Sequence, residues 1–133
     1  MTGREAACAC GQLRVTCTGE PVRISMCHCL ECQRRTGSAF GVQARYPRGQ
    51  VRVQGTARQY VRRADSGRHV TFSFCPECGG TVFWHIEQSP DVIAVAVSTF
   101  ADPNFPKPRH SVWERRQHPW TSAIGALAME HLD

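Results

Sequence analysis

The sequence has no run of about 18 apolar residues, so no helix in it is expected to span a membrane. Its opening segment, MTGREAACACG, lacks the apolar stretch of a secretory signal, and a soluble, cytoplasmic protein is expected. Lysine is nearly missing: all but Lys107 of the 16 basic residues are arginine. Those arginines are scattered, so the formal charge of +5 forms no block suited to nucleic acid, and neither a nucleic-acid nor a membrane partner is expected. No internal repeat, low-complexity tract or linker divides the chain, and its 133 residues fit one domain, 1–133. Apolar content is also modest, at 41% with a mean hydropathy of −0.35, which suggests a small core helped by crosslinks.

Cysteine, by contrast, is abundant, with eight in the chain. They fall as C-x-C (Cys8, Cys10), C-x-C-x-x-C (Cys27, Cys29, Cys32) and C-x-x-C (Cys75, Cys78), with Cys17 alone. Such spacings suit metal ligation better than a disulfide framework. Seven thiolates around two zinc ions would bring the net charge from +5 to about +2, weakening the case for nucleic acid further.

The pattern between the cysteines is mostly strand. QLRVTCT (12–18) alternates, with Leu13, Val15 and Cys17 on one face. Further strands are expected over 20–25, 39–46, 50–55, 57–63, 68–74, 81–87 and 91–100, separated by proline and glycine turns. The proline-rich stretch 101–111 reads as an ordered loop. Two short helices are expected, one from near Cys29 to a stop at Gly37, the other over 122–131. The class is mainly β.

CPECG at 75–79 is a zinc knuckle: proline presets the turn, and glycine can take the positive φ of its bend. A C-x-C pair on a regular strand would hold its thiols too far apart, so the chain must bend at 8–11, and Gly11 allows it. Cys8, Cys10, Cys75 and Cys78 therefore make a closed four-thiolate site closing a long loop. In the second group Cys29 and Cys32 lie three apart at the start of a helix, where thiolates are favoured, and Cys27 approaches from the preceding strand. Three ligands and an open position is the pattern of a catalytic zinc. Cys17, on the apolar phase of its strand, reads as a core residue. The alternatives are Cys17 as fourth ligand, or His69, His85, His110 or Glu77 in that role. His28 is expected to shield the site.

With these residues in view, the chain resembles the glutathione-dependent formaldehyde-activating enzyme family. The resemblance rests on CxCG at 8–11, CHCxxC at 27–32 followed by RRTG (34–37), and FCPxCG at 74–79. FWH (83–85), HSVW (110–113) and PW (119–120) follow in the same order, so nearly the whole chain is covered. It implies a small zinc-bearing fold of coiled β-sheets with short helices, shared with a Rab guanine-nucleotide exchange factor and methionine-R-sulfoxide reductases. It also implies a structural zinc on Cys8, Cys10, Cys75 and Cys78 and a catalytic zinc on Cys27, Cys29 and Cys32. The reaction it implies is carbon–sulfur lyase chemistry, in which glutathione and formaldehyde form or release S-hydroxymethylglutathione.

A thiol entering the open position would lose its proton to the metal's field and attack an aldehyde held beside it. Glu31, His28 or a water are candidate bases, and Arg34 and Arg35 candidate anchors for a carboxylate. Three thiolates make the zinc a weak Lewis acid, so a thiol-binding or interaction module without catalysis is the alternative.

Overall fold

The computed structural model describes residues 3–126 and 129–132, with the side chains of 123–126 not described. In chain order the strands are β1 (Gly3–Ala7), β2 (Arg14–Thr18), β3 (Arg23–Cys27), β4 (Gly41–Pro47), β5 (Val51–Gln54) and β6 (Arg58–Arg63). They continue as β7 (His69–Phe74), β8 (Thr81–Ile86), β9 (Val92–Ala96), β10 (His110–Val112) and β11 (Glu130–His131). Among the described residues one α-helix, α1 (Leu30–Thr36), joins four 3-10 turns at Arg48–Gln50, Val97–Phe100, Glu114–Arg116 and Pro119–Ala126. The protein is mainly β, as the alternating pattern requires. No helix among the described residues is long and apolar enough to cross a membrane.

The chain divides into two compact units, the first from 1–22 and 44–105, the second from 23–43 and 106–133. In the first, β1, β2 and β5 form an antiparallel sheet, and β6, β7, β8 and β9 a second antiparallel run. Leu13, Val15 and Cys17 are fully buried together with Tyr46, Val82 and Val95, so the alternation of β2 points its apolar face inward. Val70, Trp84, Ala94 and Ala96 make a second packed cluster on one face of β7–β9, with Phe72 and Ile86 against it. In the second unit β10 pairs in parallel with β3 on one side and β11 on the other.

Several elements differ from expectation. β1 was not expected, because GREAA has no strand-forming residue; antiparallel pairing with β2, from Gly3 opposite Thr18 to Ala7 opposite Arg14, draws it into the sheet. The strand expected over 91–100 ends at Ala96, where the chain turns into a 3-10 helix. Residues 110–111, expected as loop, begin β10. Of the helix expected over 122–131, the part to Ala126 is 3-10 within Pro119–Ala126, residues 127–128 lie outside the described residues, and Glu130–His131 pairs with β10 as a strand instead. The Glu130 amide donates to the Arg109 carbonyl, and that of Leu132 to Ser111, so strand bonds replace the helical ladder there.

Gly55 closes the turn between β5 and β6 at φ +96°, a conformation that favours glycine. A Cβ at this position would collide with the Gln12 carbonyl oxygen and lie 2.9 Å from the carbonyl carbon. Both neighbours are backbone and cannot swing aside. Gly55→Ala is expected to cost about 2–4 kcal/mol, from combined strain and overlap. The check is a urea unfolding midpoint, and an unchanged midpoint would show that the turn relaxes freely.

Candidate metal centres

The first thiol cluster lies wholly in the first unit. Cys8 follows β1, and the chain then bends: the Gly11 amide donates to the Cys8 carbonyl at 3.0 Å, with Gly11 at φ +83°. Cys75 follows β7, and the knuckle closes through the Gly79 amide on the Cys75 carbonyl at 2.8 Å, with Gly79 at φ +78°. The four sulfurs of Cys8, Cys10, Cys75 and Cys78 all lie within 4.8 Å of one another. Cys8 to Cys10 is 3.7 Å and Cys10 to Cys75 is 3.6 Å. Four sulfurs at about 2.3 Å from a tetrahedral zinc would stand roughly 3.8 Å apart, so the spacing fits. It is far too long for a disulfide, and all eight cysteines are free.

Amides point at these sulfurs. Leu13 N–H donates to Cys8 Sγ and Glu77 N–H to Cys75 Sγ, both at 3.3 Å. Gln12 Nε2 donates to Cys75 Sγ at 3.0 Å, while Gln12 Oε1 accepts the Thr56 amide at 2.9 Å. Burial opposes the Cys75 thiolate, but Gln12 and the amides of Cys78 and Glu77 prevail and hold its pKa at about 6. The Gln12 amide favours ionised Cys10, yet burial and the neighbouring sulfurs push it up to about 11. Four thiols this close cannot all ionise unaided, and a cation among them removes the conflict.

The second cluster lies wholly in the second unit. Cys27 ends β3, buried at 5% exposure and opposite Val112 of β10. Cys29 is the N-cap of α1, its sulfur accepting the Cys32 amide at 3.3 Å. Gly37 closes the helix at φ 66°, its amide donating to Gln33, so the expected stop is in place. The sulfurs of Cys27, Cys29 and Cys32 also lie within 4.8 Å of one another. Thiol hydrogen bonds from Cys27 and Cys32 pull Cys29 down to about 2, and bonding to Cys29 pushes Cys27 up. Three sulfurs this close compete for protons, and a dication among them would favour all three as thiolates. Both donor sets fit zinc.

No fourth ligand joins this trio among the described residues. Cys17 belongs to neither cluster; it is fully buried, and burial pushes its thiol up to about 12. His69 pairs with Glu87 at 3.1 Å and His110 with Glu130 at 3.2 Å, and neither these nor His85 and Glu77 enter a cluster. His28 is buried at 2% exposure, packs on Phe40 and meets Ser111 Oγ at 3.0 Å. The Ser111 hydroxyl proton goes to Glu114 at 2.8 Å, so His28 Nε2 must donate. Burial lowers the pKa of the His28 ring. It does not join the trio. Glu31 is engaged by Arg34 at 3.0 Å.

Residues 3–116 match the family described as glutathione-dependent formaldehyde-activating enzyme. The chain belongs to that family. No curated protein matches this sequence. Among solved structures, that of a Rhodobacter sphaeroides protein is similar, with a TM-score of 0.56 and 18% identity over 77% of this chain and 90% of that one. At that identity the likeness speaks for the fold alone. Within the family frame, two residues stand out that spacing did not reveal. Gln12 reaches the Cys75 sulfur from the far side of the closed loop. Gln33 donates from Nε2 to the His28 carbonyl at 2.8 Å and the Arg116 carbonyl at 2.9 Å, which fixes its amide and aims Oε1 at His118 Nε2, 2.9 Å away. The only sequence signal for Gln33 is its place after Cys32.

Proposed function

We propose that the protein, acting as one cytoplasmic domain, is a zinc-dependent enzyme of the carbon–sulfur lyase type. It forms or cleaves a thiol–aldehyde adduct of the S-hydroxymethylglutathione kind at Cys27, Cys29 and Cys32. Cys8, Cys10, Cys75 and Cys78 hold a second zinc that serves the fold. The observation that carries this reading is the trio of sulfurs with no fourth ligand among the described residues. Family membership supplies the thiol and the aldehyde. Free thiols in both clusters suit a reducing compartment.

When bound, zinc supplies positive charge that favours an incoming sulfur as thiolate. The residues around it do the rest. Cys27 anchors the trio to the β3–β10 pair, and Cys29 ties it to α1 through its cap. The Gln33 bonds to the His28 and Arg116 carbonyls keep the cysteine loop from shifting when a ligand arrives. His28, between Cys27 and Cys29 in the chain, is buried and packs on Phe40.

Loading the trio with cobalt(II) and titrating glutathione tests this. A saturable change in the thiolate charge-transfer bands is expected, and it should persist in Cys17→Ser because Cys17 lies outside the trio. Absence of any change at about millimolar thiol would mean a closed site. Entry of thiol without consumption of aldehyde would leave a thiol-binding module.

A further inference from the structure

Beside α1 lies a groove of about 480 Å³ whose described lining residues all belong to the second unit. Leu30, Ala39 and Trp120 supply its apolar surface, and Gln33, Arg34 and His118 its polar groups. Trp120 and Leu30 are 62% and 42% exposed, so an indole and an isobutyl group stand open to water at one place. Mostly apolar walls with a few fixed polar groups are the usual make-up of a small-molecule site. Formaldehyde, with one carbon, has no use for such a space.

We propose that this groove seats the carbon side of the adduct, and that the aldehyde carries an aromatic or branched aliphatic substituent. The inference rests on the thiol–aldehyde reading of the cysteine trio. Continuity supports it: Leu30 follows Cys29 and Gln33 follows Cys32, and the Gln33 amide holds the carbonyl of His28, between Cys27 and Cys29. Groove wall and sulfur trio are thus parts of one hydrogen-bonded piece. Charge supports it too. Among the described lining residues Arg34 is the one permanent cation, and Glu31 already pairs with it at 3.0 Å. A tripeptide thiol with two carboxylates would leave at least one unanswered there, whereas a phenyl or branched alkyl group needs no counter-charge.

His118 gives the groove a directed acceptor. Its Nε2 must donate to Gln33 Oε1, because both Gln33 amide protons go to carbonyls. In the neutral ring Nδ1 then carries the lone pair and accepts the hydroxyl of a bound carbinol. In the reaction the carbon–sulfur bond forms as the C=O π bond opens, and the thiol proton ends on the carbonyl oxygen. No oxidant or reductant takes part.

The test uses the zinc-loaded protein with glutathione and either formaldehyde or phenylacetaldehyde, reading acceleration over the uncatalysed rate. The non-reacting carbinol 2-phenylethanol is titrated separately, followed by the ring shifts of His118. Phenylacetaldehyde is expected to be accelerated at least roughly tenfold more than formaldehyde, the scale of one apolar group in a pocket. Trp120→Ala should cut that preference by roughly tenfold, and 2-phenylethanol should saturate the His118 shift. Acceleration of formaldehyde without binding of 2-phenylethanol would overturn the inference and leave the parent reading standing. Binding of 2-phenylethanol with neither aldehyde accelerated would overturn the thiol–aldehyde reading, and the proposed substrate class with it.

Discussion

Cys75→Ser is expected to leave the protein without a cooperative thermal transition at room temperature. The four sulfurs it belongs to tie the turn after β1 to the turn after β7, and Cys10 and Cys75 are 65 residues apart. Metal binding to a structural cysteine site contributes about 10–16 kcal/mol in small domains, against a net stability of about 5–15 kcal/mol for a whole protein. The substitution also withdraws the acceptor of Gln12 and of the Glu77 amide, leaving a packed side-chain amide with one partner fewer. Circular dichroism melts with metal analysis decide it, and a strong chelator added to the parent protein should reproduce the loss. A variant melting within about 5 °C of the parent would mean that the cluster is decorative.

The second large effect separates function from fold. Cys29→Ser should lower bound metal from two ions to one and reduce thiol–aldehyde turnover by more than about a hundredfold, beyond the cost of losing an outer-sphere partner. Stability should hardly change. Cys29 is the N-cap of α1, accepting the Cys32 amide, and serine is among the best N-caps. The hydroxyl therefore keeps the helix start while failing as a zinc ligand. Retention of two metals, or a melt as damaged as that of Cys75→Ser, would contradict the assignment of separate roles to the two clusters.

The clusters were legible because ligand chemistry is local: C-x-C, C-x-C-x-x-C and C-x-x-C announce themselves within a few residues. The assignment of Cys17 to the core was equally local, from the phase of β2. What the sequence hid depends on partners brought from far along the chain. Gln12 meets Thr56 and Cys75, 44 and 63 residues away, and no periodicity marks such a residue. Gln33 and His118 are 85 apart, so the fixed amide between them had no linear trace. β1 and β11 are strands only because a neighbour offers an edge; GREAA and Glu130–His131 have no strong propensity of their own. At the C-terminal end, Ala- and Leu-rich composition favoured a helix that strand pairing replaced.

The interleaving of the two units has a consequence for biosynthesis. A ribosome adding about 5–20 residues per second delivers Cys10 roughly 3 to 13 seconds before Cys75. The trio at 27–32 is complete within six residues, long before the first pair meets its partners. During that interval the nascent chain presents five cluster thiols, three of them already a competent chelate. On the proposed assignment of the two sites, the trio is expected to take the first metal and the site that serves the fold to be filled last.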